Sequence, residues 1–265
     1  MRRLSLVMTI LVFAFLFVPL VFVVVMSFHP GAVASLPLPG LSLRWYRAFL
    51  ADTLLIRSLF NSFGVALSAA LGAGILGTAC ALALVRYSFP GKDLFNALVL
   101  SPMVISRIIL GVALLSFLYS VKLPRGYVYL LIGHIVITLP YVTLVVSSQL
   151  YGLDRRIEES ALTLGANRIQ TFFEVTMPLI FPGILAAMMF AFTISFQDVE
   201  ASMLWSTQIS MTMPVRIYLL IRDELTPKIN VIAVIMIVLS VGLPVLAEAL
   251  FSRRGTRQRA AAQVQ

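Results

Sequence analysis

Six apolar segments, each long enough to cross a bilayer, recur along this 265-residue chain: Leu4–Phe28, Leu59–Val85, Leu94–Tyr119, Tyr127–Tyr151, Leu179–Asp198 and Ile229–Phe251. A helix needs about 20 apolar residues to cross the hydrocarbon core. With no water there, the backbone must bond to itself, so every segment is a predicted helix. The expected class is therefore an all-α, polytopic membrane protein with six transmembrane helices. Composition agrees, since 60% of the residues are hydrophobic and 12% charged, at a mean hydropathy of +0.99. Soluble domains carry about 25% charged residues. Residues 1–265 read as one transmembrane domain.

The first segment follows Arg2 and Arg3, as the core of a signal peptide does, and Ala32–Ala34 imitates a cleavage site. A signal core runs roughly 7–15 residues, far less than Leu4–Phe28, so the segment is read as an uncleaved span. The net charge of +9 raises the question of nucleic acid. The basic residues, however, sit in short clusters between apolar runs rather than as a stripe on a polar helix, which fits membrane topology and no nucleic-acid partner. An even number of spans puts both termini on one side. A cytoplasmic placement gathers Arg2, Arg3, Arg86, Lys92, Arg155, Arg156, Arg168 and the basic tail 252–265 inside, and leaves a smaller basic set outside. The single cysteine, Cys80, excludes an internal disulfide and any multi-cysteine metal site.

Pro19, Pro102, Pro140, Pro182 and Pro244 fall within predicted spans. In the second span, Ala70/Gly74 and Ala73/Gly77 are small residues at four-residue spacing, which lets helices approach closely. Packing accounts for both features more simply than a moving hinge does.

The most informative polar segment is the loop 152–177. Asp154 is placed to cap a helix starting at Arg155. Ile157, Ala161 and Leu164 then share one face, and Gly165 is placed to end the helix in a left-handed conformation. Asn167 can cap a second helix with Ile169, Phe172 and Phe173 on its apolar face, after which Pro178 opens the fifth span. Two short helices joined by a glycine elbow make a docking surface.

At these residues the chain resembles the permeases of binding-protein-dependent ABC importers. Glu159-Ser160-Ala161, Gly165-Ala166 and Met177-Pro178 are similar to that family's E-A-A-x-x-x-G motif and closing Leu-Pro, with Ser160 and Met177 as mild departures. The resemblance implies the type I ABC importer permease fold, with Glu159, Ser160, Ala161, Gly165, Ala166 and Pro178 in a coupling loop that seats on an ATPase. Leu41–Leu50, Asn61-Ser62, Ala83–Lys92 and Met213–Ser240 are similar to the spermidine/putrescine branch of that family. The family's assembly implies a second permease subunit (a heterodimer), two ATP-binding ATPase subunits and a periplasmic solute-binding protein. No GxxxxGK[ST] phosphate loop occurs in this chain. Nucleotide chemistry is therefore expected from another subunit, and the chain is expected to be no enzyme and to need no cofactor.

Arg107 lies within the third apolar segment, where a charge costs at least ~2.5–3.5 kcal/mol and faces a cavity or a partner. It can line the pathway, pair with the second permease or snorkel. Gln197, Asp198 and Glu200, at the end of the fifth segment, are interfacial charges and polar groups or, with Arg107, the lining of a translocation pathway. Two solute classes follow. The branch resembled implies a polyamine-like amine, whereas Arg107 would repel a polycation and favour a zwitterionic amine such as an aminophosphonate. His134, in the fourth segment, is expected to bond to a neighbouring helix rather than to relay protons. An ion-coupled secondary transporter is the rival reading, although no internal repeat is visible to support it.

Overall fold

The computed structural model describes residues 2–31, 39–223 and 226–262. The Ala32–Ala34 sequence and the side chains of the basic tail lie outside them. Among the described residues all regular structure is helical. The helices are α1 (Arg2–Met26), α2 (Arg44–Ala51), α3 (Thr53–Arg86), α4 (Lys92–Val104), α5 (Arg107–Ser120), α6 (Tyr127–Gly152), α7 (Arg155–Thr163), α8 (Arg168–Gln170), α9 (Met177–Phe196), α10 (Glu200–Trp205), α11 (Met213–Asp223) and α12 (Lys228–Ala262). Five stretches are long and apolar enough to cross a membrane: Ser5–Met26, Thr53–Arg86, Tyr127–Gly152, Arg168–Phe196 and Lys228–Leu246. The pair α4 and α5, bent by 114° at a short break, passes the same test together and makes six when taken as one broken span.

Two expectations are corrected here. The third span is not one helix. Ile105 (ψ 137) and Ser106 (ψ 135) are extended and separate α4 from α5. Arg107, expected in mid-span, is instead the first residue of α5. The fifth span does not begin at Pro178 either, because α8 passes into α9 through a π-helical turn, Thr171–Thr176, as one run. The turn ends against a proline: Pro178 has no N–H, and its ring crowds the carbonyl four residues back, while Met177 N–H bonds to Phe172 O, one residue farther than in an α-helix.

The chain forms two compact units. In the first, residues 1–59 with 216–243, none of the apolar window of α1 is buried, as befits a helix hydrophobic on all sides and made for lipid or an apolar partner. The end of α1 is tied to α2, where Ser27 Oγ lies 2.8 Å from Tyr46 OH and Phe28 packs on the Tyr46 ring. Lys228 Nζ meets Asp52 Oδ2 at 2.6 Å.

In the second unit, residues 60–215 with 244–265, α3, α6 and α9 pack closely. A Cβ on Gly77 would lie 2.7 Å from Val142 Cγ1, and one on Gly74 2.8 Å from Met188 Cγ, so the small residues are contact points between helices. The core gathers Val65, Leu118, Tyr129, Leu130, Ile137 and Ala201 around the fully buried Trp205. Trp205 reaches Gly111 O through Nε1–H at 3.0 Å, so the short helix α10 is wedged against both α5 and α6.

Candidate functional site

The loop after α6 is built by its caps. Asp154 accepts from Arg156 N–H at 3.0 Å and starts α7. Gly165 has φ +96, in the left-handed region that favours glycine. Its N–H bonds to Leu162 O and that of Ala166 to Ala161 O, both at 3.1 Å, the paired closure of a Schellman end. Asn167 and Gln170 then cap each other reciprocally at 2.9 Å. The apolar side chains this elbow presents are uncovered, with Leu164 89% and Ile169 71% exposed. Glu159 is exposed and pairs with Arg155 one turn away. Ser160 and Pro178 are also exposed, and Ala161 and Ala166 half-buried. Glu158, which carries no motif signal in the sequence, points inward to Arg86 and Thr176.

A second constellation lies where α5, α6, α9 and α10 meet. Arg107 Nη1 donates to Asp198 Oδ1 at 2.9 Å, and the Asp198 side chain is 1% exposed. A cation at the start of a helix is unfavourable against the helix dipole, and this carboxylate offsets it. Asp198 Oδ2 accepts from Ser202 N–H and Oγ–H, each at 2.9 Å. His134 stands between two hydroxyls, with Nε2 2.9 Å from Ser202 Oγ and Nδ1 2.6 Å from Ser195 Oγ.

The bonding order assigns the protons. A carboxylate only accepts, so Ser202 gives its proton to Asp198. Ser202 Oγ therefore receives from His134 Nε2–H, and in the neutral imidazole Nδ1 then accepts from Ser195 Oγ–H. Every polar group in the chain of contacts has a partner, as burial requires.

The structure thus brings Arg107 and Asp198 together and separates them from Gln197 and Glu200, which are exposed. The arginine's partner lies in the same chain. His134 bonds to neighbouring helices as its sequence context suggests. Ser195 and Ser202 carry no sequence signal, since serines at such spacing are common in spans.

Comparison with known proteins gives the family. Residues 70–256 match the family described as binding-protein-dependent transport system inner membrane component. The spermidine/putrescine transport system permease protein PotC of Haemophilus influenzae is 35% identical over 237 residues, covering 89% of this chain and 92% of the relative. The putrescine transport system permease protein PotI of Escherichia coli is 33% identical over 238 residues, covering 87% and 84%. Among solved structures, a bacterial ABC transporter involved in the import of the acidic polysaccharide alginate superposes with TM-score 0.77 at 18% identity, over 96% of this chain and 95% of that one. The last likeness speaks to fold alone. On the matched residues, the relatives and the helical architecture, this chain belongs to the family of binding-protein-dependent transport system inner membrane components, as a multi-pass ABC importer permease.

Proposed function

We propose that the chain is one of two permease subunits of an ATP-driven importer of polyamines, putrescine or spermidine. The observation that carries this reading is the similarity to polyamine permeases over nearly nine-tenths of the chain. Residues 1–265 act as a single permease domain with both termini in the cytoplasm. The loop 152–177 then faces two ATPase subunits, a periplasmic solute-binding protein delivers the solute, and a second, different permease completes the pathway. ATP hydrolysis belongs to the ATPase partners. An aminophosphonate has no support among these relatives, and the Arg107 charge that suggested it is neutralised by Asp198. The ion-coupled alternative finds no support in the family either.

In the coupling role, Gly165 sets the angle between α7 and α8, and the exposed Leu164 and Ile169 enter a groove of the ATPase. In the pathway role, Arg107 and Asp198 hold the break in the third span, with Gln197 and Glu200 at its exposed margin. A break in lipid is tolerated only where protein or a water-filled cavity receives the backbone.

The test is reconstitution. The permease pair with its ATPase and binding protein, in vesicles, is expected to take up putrescine or spermidine only with ATP, and absence of both uptakes sinks the substrate assignment. Cysteines at Ala161 and in the ATPase groove are expected to crosslink in that complex; crosslinking of Ala161→Cys to lipid-facing probes alone would exclude the coupling role.

A substitution sharpens the elbow claim. A Cβ at Gly165 would meet nothing within 4 Å, yet Gly165→Val places a β-branched residue at φ +96. The strain is on the order of 1–3 kcal/mol. Uptake is expected to fall strongly while membrane assembly stays near normal, and wild-type uptake would refute the elbow geometry.

A further inference from the structure

The family motif draws the eye to Glu159, but its neighbour Glu158 makes the connections to the membrane helices. Glu158 Oε2 lies 2.9 Å from Arg86 Nε, and Oε1 accepts from Thr176 Oγ1–H at 2.8 Å. Arg86 is the last residue of the 34-residue helix α3, and Thr176 the last of the π turn before α9. One carboxylate therefore joins three elements. The pair is largely enclosed, with side chains 15% and 12% exposed, and Arg86 Nη2 is buried without a hydrogen-bond partner, so the contact with Glu158 runs through Nε. Glu158 is thus what holds this guanidinium.

Among the described residues, the rest of α7 has no comparable polar tie. No residue of α7 is buried, Ser160 Oγ and Thr163 Oγ1 donate to carbonyls of α7 itself, and Arg155 pairs with Glu159 on the same helix. The charges also suit their places. An anion is favoured in the first turn of α7 and a cation at the C-terminal end of α3. The π turn held through Thr176 is a single-turn irregularity of the kind frequent at functional sites.

We propose that Glu158 is the positioning residue that carries movement of α7 into the second and fifth spans. It acts as a strut with Arg86 at one end and Thr176 at the other. This rests on the reading of 152–177 as the ATPase-docking loop. When the ATPase displaces α7, the strut makes α3 and the π turn follow. Without it α7 moves alone, so ATP is hydrolysed and little solute crosses.

The experiment uses the complete complex in vesicles, with ATP hydrolysis and putrescine uptake measured on the same preparation. Glu158→Gln keeps an acceptor for Thr176 but loses the charge, and is expected to raise the ATP consumed per putrescine several-fold. A lost fold element would lower both rates together. The double variant Glu158→Arg, Arg86→Glu restores opposite charges and is expected to bring the ratio back towards wild type. An unchanged ratio in Glu158→Gln overturns the strut, as does a double variant that assembles but stays uncoupled. Should Glu158→Gln fail to assemble, the double variant compared directly with wild type decides in the same way. The Ala161→Cys crosslink to the ATPase separates the two claims. A crosslink with an unchanged ratio removes only the strut, whereas no crosslink removes the docking assignment and the strut with it.

Discussion

Replacing Gly133 with alanine is expected to force α10 out of its seat and to lower the thermal midpoint of the purified permease. A Cβ at Gly133 would lie 2.1 Å from Trp205 Cζ3 and 2.3 Å from Cη2, far inside contact distance. The indole has nowhere to retreat. Trp205 is fully buried, and its Nε1–H is tied to Gly111 O at 3.0 Å. Overpacking of this kind costs roughly 1–3 kcal/mol, occasionally more, and a rigid ring against a helix backbone puts this site at the upper end. The consequence reaches the polar network, because α10 also carries Ser202. Trp205→Phe in the same chain removes the part of the indole that is struck and is expected to recover part of the loss. Recovery stays partial because Gly111 O then lacks its donor. Gly64→Ala is the control. Its Cβ would meet nothing within 4 Å, so its midpoint is expected to match or exceed the wild type. Equal midpoints for Gly133→Ala and Gly64→Ala would refute the wedge.

The features legible in the sequence were those settled within a few residues. Asp154, Gly165 and Asn167 act through their own backbone neighbourhood, so their cap roles could be read from type and position. The spans were legible because a bilayer demands length and apolarity. The break in the third span was not, since Leu94–Tyr119 is apolar on both sides of it and Pro102 alone does not fix where a helix stops. The reason for the break lies across the fold, where Asp198, 91 residues away from Arg107, receives its charge. The same distance effect hid α10. Gln197, Asp198 and Glu200 read as the end of the fifth span, and the seat of Trp205 against Gly133 marks Glu200–Trp205 as a separate helix. Glu158 is not distinguishable in the sequence, because two adjacent glutamates on an amphipathic helix look alike until one meets an arginine from another helix.

Arg107→Gln is expected to lower the yield of assembled permease, with rescue by Asp198→Asn in the same chain. The wild-type pair is asymmetric, since the arginine side chain is 34% exposed and the aspartate 1%. Removing the cation leaves the carboxylate buried with only Ser202 N–H and Oγ–H as donors. Breaking a buried pair costs about 3–5 kcal/mol, and the lower part of that range applies here because water reaches the arginine side. Neutralising Asp198 as well removes the stranded charge while keeping an acceptor for Ser202, so yield is expected to recover. Uptake decides the remaining question. If the pair also serves the pathway, the double variant assembles normally yet transports putrescine poorly. If it only fastens α5 to α10, transport returns with yield. Wild-type yield and uptake in Arg107→Gln alone would show that the third span keeps its break without this charge. The offset of the α5 dipole by Asp198 would then have to be discarded.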